Sequence, residues 1–300
     1  MKAWRALRRA RNAPWLVLVV LGCLAPSLHC AHADESARFD APVLPDPDAG
    51  VESGGGAFSE ASATPPENIE CAEETKQIYV LGTDKTLYRF YPDTLVFKRI
   101  GTVGCPTTAG TFSMAIDRRG TAWIEFTDGQ LYAVDTNNAT CKSTAFRSGQ
   151  TGFTTFGMGY AKNGDSSNGE TLFVAGAGLA SLDTKTFELS YRGSLSFGRT
   201  ELTGLDTQLY AFSVGSGVIA GIDKGSANTI SVYRTSAVNE KSAFAFAQWG
   251  GDFWLFTGDQ RSIVTRYQPV GDKSTVVVAD TGMLIVGAGS STCAPTKPPR

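Results

Sequence analysis

Three acidic residues in repeated apolar runs are the side chains best suited to chemistry in this sequence. Asp117 and Asp206 end the runs FSMAID and ELTGLD at equivalent places, and Glu201 begins the second run. Two or three carboxyls around one pocket are what a glycoside hydrolase requires. The alternative is that Asp117 and Asp206 end a strand and accept hydrogen bonds in the following turn. We favour this structural interpretation and keep all three acids as candidate ligand-binding residues.

Aromatic rings are the second kind of candidate, because a glycan ligand could stack on them. We select Tyr160 and Trp249, and we expect Trp249 to be exposed beside the turn Gly250-Gly251-Asp252. Packing between repeated units also consumes large aromatics, each of which buries roughly 150–250 Å². Most of the other rings are therefore predicted to belong to the core.

Histidine is almost absent from the chain, which excludes much catalytic and metal chemistry. The two histidines, His29 and His32, both lie in the N-terminal leader. Without histidine, Ser-His-Asp catalysis and most zinc, copper and iron sites are excluded. We therefore predict no cofactor and lean towards a non-enzymatic protein. The net charge of −2 gives no electrostatic basis for binding nucleic acid.

The loop at 162–170, KNGDSSNGE, is a weak candidate for calcium binding. Asn163, Asp165, Ser167 and Glu170 alternate along it and carry oxygen ligands. The spacing departs from that of an EF-hand loop, so we favour a plain solvated loop and predict no metal site.

Residues 1–33 have the pattern of a signal peptide. Five basic residues precede an apolar run that is too short to span a bilayer, and Ala31-His32-Ala33 supplies a small-x-small cleavage site. The segment VLGC instead resembles a lipobox, in which Cys23 would be lipidated and would anchor the chain to a membrane. Residues 34–70, rich in acids, Pro, Gly and Ser, are predicted to be a disordered linker.

The number of cysteines favours soluble export over lipidation. Cleavage after residue 33 leaves four cysteines, whereas lipidation at Cys23 leaves Cys30 without an obvious partner. We therefore expect an exported protein in the periplasm, on the cell surface or outside the cell. In such an oxidising compartment four cysteines predict two disulfides.

From about residue 77 the chain repeats short apolar runs every 40 to 48 residues. One series is LYRFY (87–91), LYAVD (131–135), LASLD (179–183), IAGID (219–223) and IVTRY (263–267). A run precedes each of these: IYVL (78–81), AWIE (122–125), LFVA (172–175), LYAF (209–212) and FWLF (253–256). Further upstream lie FSMAID, FGMGYA, ELTGLD and FAFAQW, and the closing runs are LVFKRI (95–100), FELSYR (187–192), TISVYR (229–234) and STVVVA (274–279). Four short strands at this period indicate the blades of a β-propeller.

The ends of the repeat region predict a closed ring. The first unit lacks its innermost strand, and the chain ends with an unassigned run, MLIVGAG (283–289), that matches it. We therefore predict an all-β, five-bladed β-propeller whose C-terminal strand completes the N-terminal blade. This closure brings Cys71 close to Cys293, and by elimination Cys105 pairs with Cys141.

These repeated units resemble secreted bacterial β-propeller repeat proteins over residues 71–295, with 296–300 as a C-terminal tail. The resemblance is one of architecture and carries no catalytic residues. We expect an exported, monomeric binding or scaffold protein of the cell envelope, whose partner is a glycan, a peptide or an envelope protein. A carboxylate-dependent glycoside hydrolase and a purely structural envelope component are the alternatives.

Overall fold

The computed structural model describes residues 71–164, 169–235 and 241–299. The predicted signal peptide at 1–33, the lipid anchor at Cys23 and the linker at 34–70 lie outside the described residues. So do Asp165 and Ser167 of the candidate calcium loop.

The described chain forms five four-stranded antiparallel sheets. Blade I consists of β20 (Ile285–Ser290), β1 (Ile78–Gly82), β2 (Thr86–Tyr91) and β3 (Val96–Thr102). Blade II consists of β4 (Thr111–Ile116), β5 (Thr121–Phe126), β6 (Leu131–Asp135) and β7 (Cys141–Ser143). Blade III consists of β8 (Gly157–Lys162), β9 (Glu170–Ala175), β10 (Leu179–Leu182) and β11 (Leu189–Gly193).

Blades IV and V follow the same order from the innermost to the outermost strand. Blade IV consists of β12 (Thr200–Leu205), β13 (Gln208–Ser213), β14 (Val218–Ile222) and β15 (Thr229–Arg234). Blade V consists of β16 (Ala243–Trp249), β17 (Asp252–Gly258), β18 (Ser262–Gln268) and β19 (Lys273–Val278). The predicted five-bladed propeller is confirmed.

Ring closure follows the predicted route. Strand β20 pairs with β1 in antiparallel register, with Ile78 opposite Ser290. The disulfide Cys71–Cys293 spans 222 residues of sequence, and Cys105–Cys141 spans 36. Both predicted pairings are confirmed.

The five innermost strands approach one another very closely, and glycine makes this approach possible. A Cβ atom on Gly157 or Gly159 of β8 would overlap backbone atoms of β12, including the carbonyl oxygens of Thr200 and Leu202. The approach of β20 to β4 is less close, because a Cβ on Gly287 would lie 3.0 Å from the Met114 Cβ and 3.2 Å from the Met114 backbone nitrogen. Neighbouring innermost strands are therefore in direct backbone contact at these glycines.

Side chains packed between neighbouring blades form the core. In β16, Phe244 and Phe246 pack with Phe212 of blade IV, whereas Ala245 and Ala247 pack in the cluster shared with blade I. The alternation of large and small residues therefore serves the two interfaces of blade V, as the sequence pattern predicts. The joining turn places Gly250 and Gly251 at φ +68° and +82°, which favours glycine.

Three short elements were missed by the repeat pattern. They are β7 and two 3-10 helices, η1 (Glu73–Lys76) and η2 (Gln150–Gly152). The sequence of β7, CKS, has no apolar alternation, and the strand is held by pairing with β6 and by the Cys105–Cys141 disulfide. No helix in the described ranges is long and apolar enough to cross a bilayer.

Candidate functional site

A pocket of about 410 Å³ opens at one end of the ring centre. It is lined by residues at the beginning of all five innermost strands: Thr111, Gly157, Thr200, Ala243 and Val286. We call it the mouth pocket. Its volume lies in the range of small-molecule sites, and all five blades contribute to its wall.

Glu201 of β12 lies in the wall of this pocket with its carboxyl almost fully buried. Its Oε2 accepts hydrogen bonds from Ser113 Oγ at 2.9 Å and from the Met158 backbone N–H at 3.3 Å. Its second oxygen has no hydrogen-bond partner in the ranges that the structure covers. Burial raises the pKa of Glu201 well above its ordinary value, which favours the neutral acid.

A second buried glutamate, Glu125 of β5, lies behind the same wall. Its Oε2 accepts a hydrogen bond of 2.9 Å from the backbone N–H of Phe156, and Oε1 is buried without a partner. Burial raises the pKa of Glu125 to about 9, although the hydrogen bond from the Phe156 N–H acts in the opposite direction. Two glutamates from blades II and IV therefore satisfy the N–H groups at the start of blade III.

Arg199 supplies a positive charge at the rim of the mouth pocket. Its guanidinium donates hydrogen bonds to the carbonyl oxygens of Lys241 at 3.3 Å and Ser242 at 2.7 Å. It also lies over the ring of Phe244, 4.9 Å from the centroid. These contacts fix the group without neutralising it, and within the described residues Arg199 has no carboxylate partner in a salt bridge.

Hydroxyl groups complete the pocket wall. Those of Thr111, Thr200 and Ser242 donate their hydrogens to the backbone carbonyls of Gly82, Gly198 and Gly258. A hydroxyl that donates in this way keeps lone pairs for accepting hydrogen bonds. The wall therefore offers acceptors to a ligand that carries O–H groups.

The predicted acid Asp117 lies at the opposite end of the innermost strands. Its Oδ1 accepts hydrogen bonds from the backbone N–H groups of Arg119 at 3.0 Å and Thr121 at 2.8 Å. Its Oδ2 accepts one from Trp123 Nε1 at 3.2 Å. These are the bonds of a residue that organises the β4–β5 turn, in agreement with the interpretation that we favoured.

Asp206 also lies in a turn at that end, with φ +55°. Its Oδ1 pairs with Lys162 Nζ at 3.3 Å on the surface. With a rise of about 3.3 Å per residue, Asp206 lies about 16 Å along β12 from Glu201. By the same measure Asp117 lies about 13 Å beyond Ser113, the partner of Glu201. The three predicted acids therefore do not converge on one pocket.

The prediction that Trp249 is exposed is wrong. Its side chain is only 7% exposed, and Nε1 donates a hydrogen bond of 3.0 Å to the carbonyl oxygen of Lys76. The reason is that η1 and the C-terminal segment cover this turn, where Gly250 N–H bonds to the Pro295 carbonyl. Tyr160 is 5% exposed in the core between blades II and III. Neither ring offers a face for stacking.

Glu170, a candidate calcium ligand, is committed to the protein itself. Its oxygens accept hydrogen bonds from Arg118 N–H at 2.8 Å and Thr292 Oγ1 at 2.6 Å. Burial raises its pKa to about 7. No group of three metal-binding side chains occurs in the described ranges.

Of the five candidate residues, only Glu201 lies at the mouth pocket. Sequence reasoning missed Arg199, Phe244 and Glu125 as parts of one site. The signal available for Arg199 was its position directly before an innermost strand. Glu125 lies on a second strand and gave no signal, because only the packing of blade II against blade III brings it to Phe156 in the pocket wall.

Comparison with known proteins gives structural likeness only. No protein-family model matches the chain, and no curated protein does. A protein of unknown function from Bacteroides caccae matches at 11% identity and TM-score 0.43, over 71% of this chain and 97% of that one. A chain of a nidogen/laminin complex matches at 11% identity and TM-score 0.45, over 71% of this chain and 85% of that one. The extracellular domain of a one-component system from B. thetaiotaomicron matches at 14% identity and TM-score 0.38, over 72% of this chain but only 30% of that one. At these scores the likeness says nothing about the function of this chain.

Proposed function

We propose that this protein is an exported, non-enzymatic binding protein whose ligand occupies the mouth pocket. The observation that carries the proposal is that five separate blades converge to line one cavity of about 410 Å³. The two disulfides support export, because disulfides persist in oxidising compartments. The ligand is a glycan, a peptide or an envelope component.

The glycoside hydrolase alternative is weaker, because burial disfavours the ionised carboxyl that such an enzyme needs near the pocket. Such an enzyme needs one ionised and one protonated carboxyl on the two sides of the scissile bond. Burial raises the pKa of both Glu125 and Glu201, which favours two neutral acids. Asp117 and Asp206 are about 13 to 16 Å away along the strands.

A variant that fills the mouth pocket tests the proposal. Ala177 lines the pocket and is exposed, so Ala177→Trp should place a large ring in the cavity without disturbing the core. Val270 is 95% exposed, and Val270→Trp is the matched control. The full chain and both variants are screened against a glycan array, a peptide library and a library of small polar metabolites.

The proposal predicts ligands that bind the wild type and Val270→Trp but not Ala177→Trp. Ligands that bind all three proteins equally would place the functional site elsewhere. No ligand in any screen would favour the structural alternative. Turnover of a glycoside panel by the wild type would favour the hydrolase.

A further inference from the structure

One basic side chain, Arg199, lies in the wall of the mouth pocket and has no salt-bridge partner within the described residues. Arg199 and Glu201 are the charged residue types in its wall. Burial raises the pKa of Glu201 and outweighs the opposing effect of the Arg199 charge, and the guanidinium of Arg199 is held by two carbonyls and a ring rather than by an acid. A ligand with a single negative charge would balance this arginine.

The partners around that charge are the second observation. Oε2 of Glu201 already accepts two hydrogen bonds, so the proton of the neutral acid belongs on Oε1, which has no partner in the described residues. Glu201 therefore offers the ligand a hydrogen-bond donor, whereas the hydroxyls of Thr111, Thr200 and Ser242 offer acceptors. A ligand with several hydroxyl groups can use both.

We infer that the mouth pocket binds a small hydroxylated monocarboxylate, such as a sugar acid, whose carboxylate pairs with Arg199 and whose hydroxyl groups bond to Glu201 and to the hydroxyls of Thr111, Thr200 and Ser242. This inference rests on the proposed function and names the chemical class of its ligand.

A carboxylate fits this pocket better than a phosphate does. A phosphate monoester carries about −1.5 to −2 charges at neutral pH and takes more than one cation. The nearby Lys241 is already paired with Asp259 at 2.9 Å. One planar guanidinium matches one carboxylate in charge and in geometry.

Titration calorimetry with matched ligands tests the inference. D-glucuronate, D-galacturonate and D-gluconate are each compared with their neutral amides, so that the two members of a pair differ only in the carboxylate. The full chain is compared with Arg199→Gln and with Arg261→Gln, which removes an exposed arginine outside the pocket. Glu201→Gln and Glu201→Ala test the donor, because glutamine keeps a donor at this place and alanine does not.

We expect at least one acid to bind saturably and its amide to bind at least 10-fold more weakly. Arg199→Gln should weaken binding of the acid about 10- to 100-fold, since a charge-assisted hydrogen bond is lost. Arg261→Gln should bind like the wild type. Glu201→Gln should keep most of the affinity that Glu201→Ala loses.

Three results would overturn the inference: no binding by any of the three acids, equal binding of acid and amide, or equal binding by Arg199→Gln and Arg261→Gln. A neutral or cationic ligand that binds the wild type but not Ala177→Trp would overturn the inference and leave the proposed function standing. Ligands indifferent to Ala177→Trp would overturn both.

Discussion

At the scale of single residues, two buried glutamates define the chemistry of the ring centre. Glu125 and Glu201 each accept a hydrogen bond from a backbone N–H at the start of blade III. Desolvation disfavours their charged forms. They therefore act as neutral hydrogen-bonding groups, and this explains how acids can be buried there without a basic partner.

The first prediction concerns the pH dependence that Glu125 gives to stability. Its pKa is about 9 in the folded protein against 4.5 ordinarily, so the folded state holds the proton more tightly. Its contribution to stability is therefore complete below pH 4.5 and is lost as the pH rises towards 9. Between these two pH values the unfolding free energy should fall by about 1.4 kcal/mol per pH unit because of Glu125. Glu125→Gln should remove this pH dependence. The unfolding free energy of the variant should therefore rise relative to that of the wild type between pH 5 and about pH 8.

Urea unfolding at several pH values measures this difference. Exposed Glu188 provides the control, because Glu188→Gln should leave the pH profile nearly unchanged. The buried acids Glu170 and Glu201 act in the same direction as Glu125 and are present in all three proteins. Parallel pH profiles for the wild type and Glu125→Gln would contradict the account.

The second prediction separates the two aspartates that the sequence made equivalent. Asp117→Asn should lower the unfolding free energy by about 1–3 kcal/mol, since a carboxylate that accepts three hydrogen bonds is lost. Asp206→Asn should lower it by less than about 1 kcal/mol, because its ion pair is exposed. Denaturant unfolding at pH 7 compares them. Equal losses would show that the turn interpretation of Asp117 is wrong.

At the scale of strands, the approach of β8 to β12 determines the shape of the ring centre. Gly157 and Gly159 bring the two backbones into direct contact. The sequence runs FGMGYA and ELTGLD predicted both strands within one residue of their bounds. They did not predict the contact, because which faces meet depends on the order of the blades around the ring.

The third prediction tests this contact. Gly159→Ala should lower the unfolding free energy by roughly 3 kcal/mol, because its Cβ would overlap backbone atoms of Leu202 and Thr203 that cannot turn away. Gly215→Ala is the control, since a Cβ at Gly215 would meet nothing within 4 Å and should change stability by less than about 0.5 kcal/mol. A Gly159→Ala protein as stable as Gly215→Ala would contradict the close approach.

At the scale of the whole molecule, ring closure joins the two ends of the propeller. The pairing of β20 with β1 and the Cys71–Cys293 disulfide hold the same blade together. Both could be predicted from the sequence, because the first repeat lacked one strand and the last run was left over. The mouth pocket could not, because its five wall segments are separated by about one repeat each and meet only in the closed ring.

The fourth prediction compares the two disulfides. The chain-entropy relation gives about 5 kcal/mol for the 222-residue loop and about 4 kcal/mol for the 36-residue loop. The Cys71→Ala/Cys293→Ala variant should therefore be less stable than Cys105→Ala/Cys141→Ala. It should also show faster amide hydrogen exchange in β20 than in the other innermost strands. Greater loss in the second variant, or uniform exchange in the first, would contradict this account of closure.

The location of the ligand site is the central claim, and a crystallographic screen of small polar fragments tests it most directly. We predict that bound fragments concentrate in the mouth pocket and that acidic fragments place their carboxylates against the Arg199 guanidinium. Fragments that concentrate at the opposite end, around Asp117 and Asp206, with none in the mouth pocket, would contradict the claim.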